Sequence, residues 1–291
     1  MAAILLIFLG TAFSLTEGIL IRFYNRKHEG GGFLFTALVS LGSMLFFLIY
    51  DLVTDPGGLQ FSAQILPYAL IAGLLYCSAS FLTYVALAIG PFAISMLILS
   101  YSVVFTTGYG IVVLKEPITP FFVVGLVLIA LSLFLVRGKK DEGKQKMSLF
   151  WLFCILYSTF GSGMFGVVQR IQQIRFDNAC SNEFMILSLA FSAVTLAIVG
   201  IVKDKGRCLT ILKTGSPYAC TAGLANGATN LLSLVVNTMI AISIASPTRA
   251  GVKSVMSFLV SLLLFKEKFL PRQILGVILG AIAVVFLNWK M

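Results

Sequence analysis

The stretch PYACTAGLANGATNLL, from Pro217 to Leu232, repeats an earlier part of the chain. The segment PYALIAGLLYCSASFL, from Pro67 to Leu82, lies 150 positions before it, and six of the first eight residues are identical. Beyond those eight residues the two copies differ, and only the second copy has the amide side chains Asn226 and Asn230. The shared part predicts a duplicated architecture, and the amides indicate where the two copies have separate tasks.

The composition of the chain is that of a membrane protein. Of its 291 residues, 59% are hydrophobic and 11% are charged, whereas about 25% of the residues in soluble proteins are charged. A helix of about 20 mostly apolar residues crosses a bilayer, and we find ten such segments. Their predicted bounds are 2–21, 32–51, 65–88, 91–113, 119–136, 148–169, 183–202, 216–240, 246–265 and 271–289. The sequence therefore predicts an all-α polytopic membrane protein with ten transmembrane helices.

The basic residues lie mostly on one predicted side of the membrane. Fifteen of them follow predicted helices 1, 5, 7 and 9: Arg22, Arg26, Lys27, Arg137, Lys139, Lys140, Lys144, Lys146, Lys203, Lys205, Arg207, Lys213, Lys266, Lys268 and Arg272. The opposite side has four: Lys115, Arg170, Arg175 and Lys290. By the positive-inside rule the first side is cytoplasmic, which puts both termini outside. This distribution explains the net charge of +10 without a nucleic-acid partner.

The repeat continues along both halves of the chain. Six residues recur 151 positions later: Lys115, Glu116, Pro120, Gly125, Leu128 and Ala130 as Lys266, Glu267, Pro271, Gly276, Leu279 and Ala281. Three others recur 148 positions later: Ser14, Gly18 and Arg22 as Ser162, Gly166 and Arg170. The predicted units are 1–138 and 148–291, joined by a basic loop at 139–147. Because each unit has five helices, an odd number, the second must be inverted in the membrane, as in many secondary transporters.

Two five-helix halves, each with a Lys-Glu pair before its last helix (Lys115-Glu116 and Lys266-Glu267), resemble the EamA-type drug/metabolite transporters. The resemblance covers essentially the whole chain. It implies alternating access through a cavity lined by helices 1, 3, 4, 6, 8 and 9, in a bacterial plasma membrane. Family members transport amino acids, choline-like amines, nucleotide sugars and sugar phosphates, so the substrate stays open. They commonly keep both termini in the cytoplasm, opposite to the side that the basic residues indicate.

One face of predicted helix 8 has four polar side chains at spacings of four, three and four: Asn226, Asn230, Ser233 and Asn237. The equivalent positions of predicted helix 3 are Tyr76, Ser80, Thr83 and Leu87. Since residues at this spacing share a helix face, we expect the three amides, with Tyr76 and Ser80, to bind polar groups of a substrate. The alternative is that the amides bond neighbouring helices, a common role in membranes.

Apart from residues at the helix ends, three charged residues fall inside predicted helices: Glu17, Arg249 and Lys253. Charges at the bilayer centre are costly, so they usually face the protein interior and have a function. Ser246 followed by proline predicts that helix 9 begins there. Arg249 and Lys253 would then lie in its first two turns, where the helix dipole is positive, and an anionic substrate group would complete the site. Snorkelling to the headgroups is the alternative. Glu17 is the candidate for coupling to a proton or cation.

These observations predict a secondary transporter, with Tyr76 and Tyr101 shaping the wall of the site. The cationic pair favours an amino acid, an organic acid or a phosphorylated metabolite. A choline-like or drug-like cation is the alternative, because four tyrosines could form a cation-binding surface: Tyr76, Tyr84, Tyr101 and Tyr157. An intramembrane lipid-modifying enzyme is less favoured, since the predicted helices contain no histidine and no pair of acids. We expect no cofactor, no metal, and a monomer or a weak dimer.

Overall fold

The computed structural model describes residues 2–28, 32–54, 59, 62–116, 118, 120–136, 148–203, 206–266 and 271–287. Every regular element within these ranges is a helix. The α-helices are α1 (Ala2–Lys27), α2 (Gly32–Thr54), α3 (Leu66–Ile89), α4 (Phe92–Leu99), α5 (Val103–Val112), α6 (Pro120–Val136), α7 (Leu149–Arg175), α8 (Ser181–Lys203), α9 (Cys208–Met239), α10 (Ile242–Leu263) and α11 (Pro271–Leu287). The predicted loop 139–147 and Glu267 lie outside the described residues.

Several of these helices are long and apolar enough to cross a membrane. Within the described residues seven spans meet that condition by length and composition: α1, α2, α3 with the turn before it, α4 joined to α5, α7, α8 and α9. Their outer surfaces have large apolar side chains, such as Leu5 and Leu74, that are more than half exposed. A lipid environment covers such side chains, so these helices indicate an integral membrane protein.

The fourth predicted helix, 91–113, is not one continuous α-helix. It consists of α4 and α5, which are separated by a 3-10 turn at Ser100–Ser102. The Ser100 hydroxyl donates to the Met96 carbonyl oxygen at 2.8 Å, and hydrogen bonds of this type compete with the α-helical pattern. From this point on, each helix has a number one higher than the predicted helix to which it corresponds.

The first helix of each half is longer than predicted. α1 continues to Lys27 and α7 to Arg175, rather than to residues 21 and 169. The added turns contain polar side chains that the protein buries, including Arg22 and Gln172. The Arg22 guanidinium lies 4.6 Å from the centre of the Phe265 ring. Hydropathy treats such residues as the end of a helix because it takes no account of protein partners.

The predicted start of helix 9 at Ser246 was wrong. α10 begins one turn earlier, at Ile242, and Pro247 lies inside the helix. The Glu116 side chain makes the earlier start possible, because its Oε2 accepts a hydrogen bond from the Ser243 backbone N–H at 2.9 Å. An acceptor at this end satisfies one of the backbone donors that a helix start leaves free. Ser246 therefore lies within the second turn and does not cap the helix.

The two halves pack against each other along most of their length. α1 packs along α9 and α3 along α7, while α2 contacts α8 and α9, and α8 also contacts α3. Glycines allow two of these approaches to be close. A methyl group added to Gly223 would lie 2.7 Å from the Val39 carbonyl oxygen, and one added to Gly73 would lie 2.7 Å from that of Ser188. Small residues at helix crossings are typical of membrane bundles.

Candidate functional site

A cavity of about 290 Å³ lies in the middle of the helix bundle. Helices α1, α2, α3, α4, α5, α7, α9 and α10 all contribute to its wall. Except for α2, which contributes Thr36 and its neighbours, these helices correspond to the ones that would line the cavity according to the family resemblance. The charged residues in the wall are Glu17, Arg249 and Lys253. The structure thus brings the three predicted charged residues to one cavity.

Asn226 is the centre of a hydrogen-bond network beside this cavity. Its Oδ1 accepts from the Tyr76 hydroxyl at 2.7 Å, from Ser43 Oγ at 2.9 Å and from Asn230 Nδ2 at 2.9 Å. Its Nδ2 donates to Glu17 Oε2 at 3.0 Å. The amide therefore joins α1, α2, α3 and α9, and it holds the Glu17 carboxylate in place.

Asn230 and Ser80 have more freedom than Asn226 to contact a ligand. Both line the cavity. Asn230 donates to the side-chain and backbone oxygens of Asn226 at 2.9 and 3.1 Å, but no described residue donates to its Oδ1. Ser80 lies next to the Tyr76 hydroxyl. The Asn230 oxygen and the Ser80 hydroxyl are consequently the groups of the predicted polar face that a polar ligand could contact directly.

Glu17 and Lys253 are both far from the ends of their helices. With a rise of 1.5 Å per residue, Glu17 is about 15 Å from the end of α1, and Lys253 is about 16 Å from the start of α10. The two charges attract each other, yet no described residue forms a hydrogen bond or a salt bridge with the Lys253 ammonium group. The position of Lys253 in the cavity wall, at about half the thickness of a bilayer core, argues against the snorkelling alternative.

Arg249 lies one turn closer to the start of α10 and is held by neutral groups. Its Nη1 donates to Ser233 Oγ at 3.2 Å and its Nη2 donates to Asn237 Oδ1 at 2.9 Å. Its Nε is buried without a hydrogen-bond partner. Asn237 is itself buried and lies outside the cavity wall. We predicted that Asn237 would contact substrate, whereas in the structure it orients Arg249.

Arg170 is part of the same cluster, although we did not predict it as a site residue. Its Nη1 donates to the backbone oxygen of Asn237 at 2.9 Å, and its Nε is also buried without a partner. The predicted end of helix 6 at residue 169 placed Arg170 in a loop. The signal that could have identified it was the recurrence of Arg22 as Arg170 in the internal repeat, because a repeated arginine in an apolar helix is unusual.

Tyr101 does not line the cavity, although its neighbours Ser100 and Ser102 do. It is half-buried and lies in the middle of the 3-10 turn, which has three residues per turn and therefore orients side chains differently from an α-helix. Of the four tyrosines considered as a cation-binding surface, Tyr76 is in the wall, whereas Tyr157 is exposed beside Phe153 and Phe160. Within the described residues, no group of three His, Cys, Asp or Glu side chains could hold a metal ion.

Comparison with known proteins supports the fold and does not extend to function. No protein-family model matches the chain, and no curated protein is similar to it. A solved structure described only as "Crystal structure of protein" is similar over 96% of this chain and 96% of its own, with a TM-score of 0.68 and 13% sequence identity. A likeness at this identity shows a shared fold over nearly the full length, and function has to be argued from the site.

Proposed function

We propose that the protein is a secondary active transporter that moves a small polar metabolite across a membrane by alternating access. The observation that supports this most is the cavity inside an apolar bundle with Glu17, Arg249 and Lys253 in its wall. A charge at the bilayer centre costs about 2.5–3.5 kcal/mol on insertion scales. Three such residues around one cavity suit a polar substrate, and the excess of cations favours an amino acid, an organic acid or a phosphorylated metabolite.

The proposed architecture has ten transmembrane helices in two inverted five-helix repeats. α6 and α11 have 17 residues each, close to the shortest length that spans a bilayer, and the charges of α10 lower its hydropathy. In this architecture α1, α2 and α3 of the first half correspond to α7, α8 and α9 of the second. α1 packs against α9 as α7 packs against α3, and α2 packs against α9 as α8 packs against α3. α6 and α11, the last helices of the two halves, pack against each other. This pattern is expected of two equivalent units related by a pseudo-two-fold axis.

Individual hydrogen bonds between the halves support the same architecture. Lys27 Nζ donates to the Tyr218 hydroxyl at 3.0 Å, and Arg175 Nη1 donates to the Tyr68 hydroxyl at 2.6 Å. Arg175 follows Lys27 by 148 positions and Tyr218 follows Tyr68 by 150, so the two bonds occupy equivalent places in the repeats. In an inverted repeat they would lie near opposite faces of the membrane.

A second pair of hydrogen bonds repeats in the same way. Asn25 Nδ2 donates to the Tyr84 carbonyl oxygen at 3.3 Å, and Gln173 Nε2 donates to the Leu234 carbonyl oxygen at 3.2 Å. These residues are again 148 and 150 positions apart. In both bonds a side-chain amide donates to a backbone carbonyl oxygen, although the residues differ in identity between the halves, so the equivalence lies in the fold and not only in a few retained residues. This supports the proposed duplication of the EamA type.

Glu17 is the proposed coupling residue. Its carboxylate receives a hydrogen bond from Asn226 and attracts Lys253 across the cavity. A proton bound to Glu17 would cancel that attraction and change the field that a substrate meets. The proposed role is non-enzymatic, because the described residues of the cavity wall include no histidine and no pair of carboxylates. The proposed location is a bacterial plasma membrane.

An organic cation is the second candidate for the substrate. The Glu17 carboxylate and the Tyr76 ring in the same wall favour it, because a carboxylate and an aromatic face both attract cations. Arg249 and Lys253 disfavour it, since like charges repel. With two cations against one carboxylate in the wall, the anionic or zwitterionic substrate is the stronger proposal.

Counterflow in proteoliposomes that contain only this protein tests the proposal. A thermal-shift screen of metabolites first identifies ligands, because a ligand that binds the folded state raises its stability. Vesicles loaded with an unlabelled ligand should then accumulate the labelled one transiently, with saturation, while empty liposomes should not. Flux that rises linearly without counterflow would identify a channel, and ligand turnover without flux would identify an enzyme.

A further inference from the structure

We propose that Arg170 and Arg249 together bind the anionic group of the substrate. Arg249 lines the cavity, whereas Arg170 lies outside its wall and is linked to Arg249 through Asn237. The proposal rests on the transport function above and specifies the residues and the charge class of the ligand. The sequence alone paired Arg249 with Lys253. In the structure, Arg249 shares Asn237 with Arg170, and the charge of Lys253 is opposed by Glu17.

The geometry brings two guanidinium groups to one residue. Arg170 Nη1 donates to the backbone oxygen of Asn237 at 2.9 Å, and Arg249 Nη2 donates to its side-chain oxygen at 2.9 Å. Ser233 Oγ accepts a hydrogen bond from Arg249 Nη1 at 3.2 Å. All of these acceptors are neutral, so they position the guanidinium groups without compensating their charge. We call Arg170, Arg249, Asn237 and Ser233 the arginine site.

No described carboxylate compensates the positive charge of the arginine site. The Nε of each arginine is buried without a hydrogen-bond partner, and no described carboxylate forms a salt bridge with either. Tyr109, which lies within electrostatic range of Arg170, has a neutral phenol group. The Glu116 carboxylate is bonded to the start of α10. Both arginines are half-buried. Because cations that are partly removed from water are costly without a counterion, an anionic ligand would stabilise this arrangement.

Lys253 and Glu17 form a separate pair of opposite charges in the same cavity. Each attracts the other, and Glu17 is held by Asn226. Asn226 and Asn237 are eleven residues apart on α9, which corresponds to about 16 Å along the helix axis. Lys253 lies one turn from Arg249 on α10, about 6 Å along the axis, but its charge is opposed by that of Glu17. The two guanidinium charges are the ones that no described carboxylate opposes.

Two guanidinium groups match an anion that has two charges on closely spaced oxygens. A phosphate monoester or a dicarboxylate has this chemistry, and guanidinium binds both through paired, parallel hydrogen bonds. Binding requires the anion to replace Ser233 and the Asn237 amide as acceptors of Arg249. Such an exchange is favourable because hydrogen bonds to an ionised acceptor are roughly twice as strong as those between neutral groups.

Thermal unfolding of the purified full-length protein tests this site with inorganic phosphate, malonate and chloride at equal ionic strength. We expect phosphate or malonate to raise Tm with saturation, and chloride to leave it unchanged. Whichever of the two binds more tightly shows whether the site takes a phosphate or a dicarboxylate. Arg170→Gln and Arg249→Gln should each raise the apparent Kd of that anion about 10-fold or more. Arg175→Gln, a control on the same helix as Arg170, should bind as the wild type does.

The proposal is overturned if neither anion stabilises the wild type, if folded Arg170→Gln binds like the wild type, or if Lys253→Met weakens binding more than both arginine variants. Should Arg170→Gln not fold, Arg170→Lys keeps the charge but not the planar fork, and it must still bind more weakly. Counterflow keeps the two proposals apart. Anion binding without counterflow contradicts transport alone, and counterflow of a substrate without anion binding contradicts the arginine site alone.

Discussion

Replacing Asn226 by Leu should destabilise the protein far more than the same replacement at Asn230. Asn226→Leu removes the acceptor of Tyr76, Ser43 and Asn230 and the donor to Glu17. Interhelical hydrogen bonds in a membrane protein are worth about 0.6 kcal/mol each, and one to a charged group is worth about 1.5–3 kcal/mol. The bonds from Tyr76 and Ser43 are of the first kind and the bond to Glu17 is of the second, which gives about 3–4 kcal/mol; the bond from Asn230 lies within α9.

Asn230→Leu provides a matched control for this prediction. Asn230 makes two hydrogen bonds, both to Asn226, so its replacement should cost about 1 kcal/mol. The measurement is the free energy of unfolding in lipid micelles, from titration with a denaturing detergent. Equal losses in the two variants would contradict the central position of Asn226 in the network.

A double-mutant cycle with Glu17→Gln isolates the charged part of the cost. In that background no carboxylate loses its donor, so Asn226→Leu should cost about 1.5–3 kcal/mol less than in the wild type. The reasoning is refuted if the effects of the two changes simply add. Additivity would mean that the Glu17 carboxylate does not depend on Asn226, and the proposed coupling residue would then lack a defined position.

Three further outcomes can be checked. Glu17→Gln should keep exchange of labelled for unlabelled substrate but lose uphill accumulation driven by a pH gradient; retained accumulation would contradict its coupling role. Gly223→Ala places a methyl group 2.7 Å from the Val39 oxygen and should cost about 1–3 kcal/mol of unfolding free energy, and unchanged stability would contradict the close crossing. Reporters at the N-terminus and at Met291 should face the same side, and one after Lys140 the opposite side. If only seven spans crossed the membrane, without α6, α10 and α11, the reporter after Lys140 would share the side of the N-terminus and Met291 would face the other side.

The charged residues of the cavity could be predicted because their surroundings are so apolar. Glu17, Arg249 and Lys253 each interrupt a segment that otherwise suits lipid, and the cost of such an interruption makes a protein-facing position the expected one. The prediction needed no knowledge of neighbouring helices. It gave the identity of the three residues but not their grouping, since pairing depends on which helices lie side by side.

Arg170 and Tyr101 show what the sequence could not provide. Arg170 followed the last apolar residues of its segment, and hydropathy cannot distinguish a polar residue in water from one bonded to another helix. Its contact with Asn237 depends on the packing of α7 beside the end of α9. Tyr101 was placed by assuming an unbroken helix, and a local 3-10 turn at Ser100–Ser102 changed its direction. The contact of Arg170 is a hydrogen bond to a backbone carbonyl oxygen, which the type of the accepting residue does not reveal, and a three-residue 3-10 turn is too short to alter the hydrophobic pattern of its segment.

The difference between the two copies of the repeated stretch follows from the place where they meet. Tyr76 and Asn226 are equivalent positions, 150 residues apart, and in the structure they are hydrogen-bonded to each other at 2.7 Å. In the proposed inverted repeat, equivalent residues contact one another only near the two-fold axis, where identical side chains would face their own copies. A phenol opposite an amide instead gives one donor and one acceptor with a fixed direction. The amide N–H of Asn226 is then free to donate to Glu17. A second tyrosine at this position would have a hydroxyl and no amide group for that bond. In the proposed repeat, the difference at this position therefore turns a symmetric contact into a polarised one and directs it at Glu17, the one acidic residue among those described in the cavity wall.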